Sequence, residues 1–183
     1  MTESEWLSGT NPASMCAFVL EKLSERKRQL FMSAVGGRVW KRIASPEGRK
    51  ATGSPQAGGA PPAAALGALS AALPLLFGPV FAFGAWTSAF KEELAEASRL
   101  LRELVGNPFR PVRVEPAWLR WNDGAVVKMA KAIDDAGRFA DLPILADALE
   151  DAGCDNADLL SHCRTAGGHA AGCWAVDLLL GKE

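Results

Sequence analysis

Apolar residues return along most of the chain every three or four positions, the period of a helix that buries one face. Met15, Phe18, Val19 and Leu23 share one such face. Leu30, Phe31, Ala34, Val35, Val39 and Ile43 share another, which Gly36-Gly37 weakens. Residues 91–105 predict an amphipathic helix, with Leu94, Leu101, Leu104 and Val105 inward. Prolines 108 and 111 then predict an extended connector. Further helical segments follow: Trp118, Leu119 and Trp121 in the first; Val126, Met129, Ala130 and Ile133 in the second; Leu145 and Leu149 in the third. Leu159, Leu160 and Cys163 mark a fourth, and Trp174, Val176, Leu178 and Leu179 a last.

Start and stop residues punctuate this pattern. Thr2 and Glu5 have the spacing of a capping box. Asn11-Pro12 pairs a cap with proline at the first helical position. Ser24, Asp123, Asp141, and Asp155 or Asn156 stand where helix caps are expected, and Ser45-Pro46 where a helix ends. Gly106, Gly137 and Gly153 stand where helices stop. The expected fold is all-α, a compact orthogonal assembly of about seven short helices. Residues 1–50 and 91–183 are expected to pack as one domain.

Between them the pattern breaks. Residues 51–90 carry no charge. Residues 51–64, rich in Ala, Gly, Pro and Ser, read as a linker. Residues 66–90 form an apolar stretch longer than the roughly 20 residues that a membrane span needs. Pro74, Gly78, Pro79 and Gly84 oppose one straight helix there. Three fates are open for this Ala/Gly/Pro/Leu-rich insert: a buried or partner-covered apolar helical hairpin, a membrane span, or a disordered or artefactual segment. Lys41, Arg42, Arg49 and Lys50 precede it, so a span would place the N-terminus inside an inner membrane.

Composition narrows the classes further. Ala and Leu abound, Tyr is missing, and β-branched residues are few, which favours helix over strand. Residues 1–50 hold nine basic and five acidic side chains, and residues 107–183 hold eight basic and twelve acidic. The chain lacks the basic footprint of a nucleic-acid binder. Its acidic, polar N-terminus lacks the basic-then-apolar pattern of a signal peptide. A cytoplasmic protein with reduced cysteines is the expectation.

The motifs NPFRPV (107–112), PAWLRWNDG (116–124), DLPILADALEDAGC (141–154), HCR (162–164) and H..GCW.VDLLLGKE (169–183) resemble a family of uncharacterised proteins abundant in planctomycete bacteria. TESEWL (2–7), NPASM (11–15) and SERKRQLF (24–31) carry the same likeness. The resemblance implies no known chemistry. The chain departs from the family after LF, where a Cys- and Arg-rich stretch is replaced by MSAVGGRVW (32–40). It departs again at 51–90, where the family tends to have a charged helix. A compensated frameshift in a GC-rich gene would give such a stretch, and an alternate frame encoding no charged helix would remove that idea.

Candidate chemistry concentrates near the C-terminus. Cys154, His162, Cys163, His169 and Cys173 are the candidate ligands for zinc, which takes four N or S donors. Their spacing matches no common finger or ribbon, and the bland alternative is buried cysteines with histidines at helix ends. Cys163 or Cys173 with His169, oriented by Asp177, is a conceivable nucleophile pair. The adjacent carboxylates Asp134-Asp135 and Glu150-Asp151 diverge on a helix and read as solvated ends. Trp118, Trp121 and Trp174 are candidate contacts for a protein partner or for self-association. The leading expectation is a non-enzymatic protein-interaction module without a cofactor. The alternatives are a membrane-associated protein through residues 66–90 and a small zinc-binding protein.

Overall fold

The structure, a computed structural model, describes residues 1–19, 22–44 and 91–182, with the backbone alone for residues 13, 39–44 and 91. The linker and apolar insert expected at 51–90, and the helix stop at Ser45-Pro46, lie outside the described residues. Every regular element among the described residues is helical, so the fold is all-α. In chain order these are α1 (Glu3–Ser8), α2 (Pro12–Val19), α3 (Glu25–Ala44), α4 (Lys91–Val105) and α5 (Pro116–Ala136). A 3-10 turn, Phe139–Asp141, leads into α6 (Leu142–Asp151), α7 (Ala157–Arg164) and α8 (Trp174–Leu180). None of these helices is long and apolar enough to cross a membrane. The chain divides within α4 into two units, Met1–Leu101 and Arg102–Glu183.

In the first unit, local signals fix the helix starts. Thr2 Oγ1 accepts the Glu5 N–H, and the Glu5 carboxylate accepts the Thr2 N–H, which completes the capping box. Ser24 Oγ accepts the Lys27 N–H at 3.2 Å. α3 runs through Gly36-Gly37 without a break. Trp6, Met15, Val19, Leu23, Phe31, Val35, Ala97, Leu100 and Leu101 are buried. Arg38 of α3 lies 3.8 Å from Glu96 of α4, a carboxylate already held by Arg99.

The second unit has one contiguous core. Trp118, Val126, Ala130 and Ile133 of α5 meet Leu142, Leu145 and Leu149 of α6, Leu159, Leu160 and Cys163 of α7, and Val176 and Leu179 of α8. Apart from Leu142, these are inward positions of the sequence pattern. Asn156 caps α7 by accepting the Leu159 N–H at 2.9 Å. Gly137 and Gly181 close α5 and α8 in the left-handed conformation that glycine adopts without a Cβ clash.

Two of the expected caps are corrected. A second helical stretch does begin after Gly124, as expected, but Asp123 makes no capping bond. Asn122, Asp123 and Gly124 are all left-handed and kink α5, and the Asp123 carboxylate takes Lys128 Nζ at 2.6 Å instead. Asp141 makes no capping bond either, and its carboxylate lies 3.3 Å from Arg138 Nε. In both, a nearby cation competes for the carboxylate against a backbone N–H.

Candidate metal centre

The second unit gathers Glu103, His162, His169 and Cys173. One donor atom from each lies within 4.8 Å of the others. Four stretches of chain supply them. Glu103 sits in the last turn of α4, and its side chain is only 6% exposed. His162 lies on α7 beside the buried Leu159 and Cys163. His169 comes from the loop after α7, and Cys173 stands at the start of α8.

That loop is built from small residues. Gly167, Gly168 and Gly172 all have positive φ, which lets residues 165–172 turn His169 back toward α4. Cys173 donates its N–H to Ala170 O at 3.0 Å, which closes the turn into α8. Arg164 steadies the other end. It reaches Glu150 and Asp147 of α6 from the end of α7.

The donors point at one another rather than outward. His162 Nε2 lies 3.2 Å from Cys173 Sγ and 3.6 Å from a Glu103 oxygen. His169 Nδ1 lies 3.1 Å from the other Glu103 oxygen. His169 Nε2 lies 3.0 Å from Thr165 O, a carbonyl that can only accept. A proton therefore belongs on Nε2, and Nδ1 faces Glu103 and the cluster. A metal-binding histidine is commonly oriented this way, by giving its other N–H to a carbonyl. The two imidazoles meet edge to face with centroids 4.8 Å apart.

Trp174 covers His162, with ring centroids 4.9 Å apart. Gly106 makes room for that indole. It has φ +71°, and a Cβ there would come within 2.9 Å of the Trp174 ring.

Burial shapes the electrostatics. It raises the Glu103 carboxyl above its usual range, while Cys173, His169 and the Ala170 N–H pull it back. It lowers His162 to about 4, with the charge of His169 adding to the effect. Burial pushes Cys173 far above the ordinary thiol range, and the charge of Glu103 adds to that. The backbone N–H groups of Val176 and Ala175 oppose the Cys173 shift. Without a cation each of these groups is held toward its neutral form, and with one the carboxylate and thiolate become favourable. Together the four can hold a metal ion.

Three of the five proposed ligands, His162, His169 and Cys173, are thus brought together. Cys154 and Cys163 are buried and free but stand outside the group. Cys163 follows His162 directly, and consecutive helical residues diverge by about 100°. His162 turns to the centre while Cys163 enters the core. An activated cysteine needs a lowered thiol pKa. Burial instead raises Cys163 to about 12 and Cys173 further still, which opposes the nucleophile reading. Asp177 is buried at 1% exposure. Of the three tryptophans, Trp118 is in the core, and Trp121 and Trp174 pack against it.

Glu103 was not among the sequence candidates. It lies at the margin of the α4 apolar stripe, one of four glutamates on that helix, and 66 residues before His169. No protein-family model matches the chain, and comparison with curated proteins and with solved structures finds no similar protein.

Proposed function

We propose that the chain is a non-enzymatic helical protein whose second unit is held together by a zinc ion on Glu103, His162, His169 and Cys173. The convergence of these four donors within 4.8 Å in a buried setting carries the reading. Zinc bonds of about 2.0–2.3 Å to N, O and S give a tetrahedron with edges of about 3.2–3.6 Å. The His162–Cys173 pair stands at 3.2 Å, and each histidine lies 3.1 or 3.6 Å from one of the two Glu103 oxygens, near that range, so binding asks the set, spread over as much as 4.8 Å, to close by about 1 Å.

Charge supports the same ion. One thiolate and one carboxylate carry two negative charges, and a divalent cation brings the buried centre to neutrality. Mixed N, O and S donors in fourfold array suit zinc, whereas magnesium and calcium want six or more oxygens. Four protein donors leave no open position for water or substrate. A closed shell is the mark of a structural zinc. On this reading the HCR and H..GCW motifs that carry the planctomycete resemblance hold three of the four donors.

The test is metal analysis of full-length protein purified from zinc-supplemented cells. About one equivalent per chain is expected, falling sharply in Cys173→Ala and His169→Ala. Less than roughly a tenth of an equivalent in the parent protein overturns the reading. Cobalt substitution adds a check on the ligand set. A thiolate-to-cobalt band is expected in the parent protein and not in Cys173→Ser.

A further inference from the structure

We infer that an open groove between α6 and α7 receives a lysine- or arginine-bearing segment of a partner protein. The groove lies outside the metal centre and shares no residue with it.

The groove holds about 800 Å³, room for a segment of chain. Along α7, Ala157, Leu160 and Arg164 recur at helical spacing and line it, and Cys154 joins them from the turn after α6. Cys154 and Leu160 are 4% and 8% exposed, so the floor is apolar and close to closed. Glu150 and Asp155 add carboxylates at exposed positions. A basic side chain has the matching build. Its alkyl stem covers apolar surface while its charged head stays in polar surroundings and meets an acid. The groove already holds one pairing of this kind. The Arg164 guanidinium meets Glu150 at 2.9 and 2.5 Å and Asp147 at 3.0 Å.

Charge complementarity favours a cationic occupant. From residue 139 to residue 163 the sequence carries Asp141, Asp147, Glu150, Asp151, Asp155 and Asp158, and no Lys or Arg. Arg138 and Arg164 answer the first three of these. Asp151, Asp155 and Asp158 are exposed, and among the described residues no ion pair holds them. Asp158 stands in the first turn of α7, where negative charge favours the helix. Asp151 does the reverse. It ends α6, where the exposed carbonyls disfavour a second negative charge, and no basic residue lies in that turn. Local folding gains nothing from acids placed this way, whereas a basic partner does.

Isotope-labelled full-length protein, titrated with two peptides, tests this. One is an acetylated and amidated hexapeptide that alternates arginine with leucine. The other carries citrulline for arginine, which keeps the shape and loses the charge. Amide resonances of residues 150–165 are expected to shift. The arginine peptide is expected to bind at least about tenfold more tightly than its counterpart. Asp155→Asn is expected to weaken it at least about threefold, while Glu115→Gln, a change at an exposed acid outside the groove, leaves it unchanged. The melting temperature of Asp155→Asn is expected to match the parent, which separates lost binding from lost folding. Equal binding of the two peptides, or no binding of the arginine peptide at about 1 mM, overturns the inference. Equal weakening by Glu115→Gln also overturns it, since the attraction is then diffuse. So does self-association that Asp155→Asn abolishes, because the occupant is then a second copy of the chain.

Discussion

Gly106 shows how one residue without a side chain shapes the centre. Its left-handed φ and its contact with Trp174 both exclude a Cβ. The indole it admits packs against the His162 ring. Gly106→Ala is expected to cost about 1–3 kcal/mol of stability, from backbone strain and the displaced indole. It is also expected to weaken zinc binding, since His162 loses its cover. Urea unfolding with and without zinc measures both, and a variant as stable as the parent contradicts the packing described here. The residues of the site were legible in unequal measure. Histidines and cysteines are rare in this chain, so His162, His169 and Cys173 stood out. Glu103 is one charged residue on a helix full of them, and nothing local distinguishes it. Only the fold brings it to His169.

Among the elements, the ones that short-range chemistry dictates were the most legible. The capping box at Thr2, the Asn156 cap and the glycine stop at Gly137 are each decided within four residues. The kink in α5 was less so. Asn122 (φ 46°) and Asp123 (φ 56°) adopt a conformation that costs most residues roughly 1–2 kcal/mol, and Asn and Asp tolerate it better than others. A sequence such as Trp-Asn-Asp-Gly signals a turn, but it reads equally well as a cap before a new helix. The run of left-handed residues bends the chain between Trp118, which is buried, and Val126, which resumes the same core. Asn122 is exposed, so its substitution tests the backbone alone. Asn122→Val is expected to lower stability by about 1–2 kcal/mol while Asn122→Gly does not. Chemical denaturation of the pair decides it. A valine variant that is no weaker means the left-handed turn is not populated.

At the scale of the molecule, the apolar periodicity was enough to give an all-α protein, because in the second unit the helices bury most of the stripe that the sequence displays. The division within α4 was not legible, since the helix pattern runs unbroken across Leu101 and Arg102. The ligands are spread unevenly along the chain. Three lie within residues 162–173, and the fourth is 66 residues before His169. With zinc bound as proposed, that spacing would give the centre an order of assembly. The local trio can capture an ion while most of the unit is still forming, because closing a short loop costs less entropy than closing a long one. Glu103 joins last and, by the same reasoning, leaves first. The ion of the proposed centre would then leave by way of Glu103, and a competing chelator would gain its first foothold where the carboxylate was. Zinc transfer to a chromophoric chelator is expected to be at least about tenfold faster from Glu103→Gln than from the parent protein. Equal rates would mean that the ion departs by another ligand. A zinc centre of this kind would be a latch whose catch is the one donor that the sequence conceals.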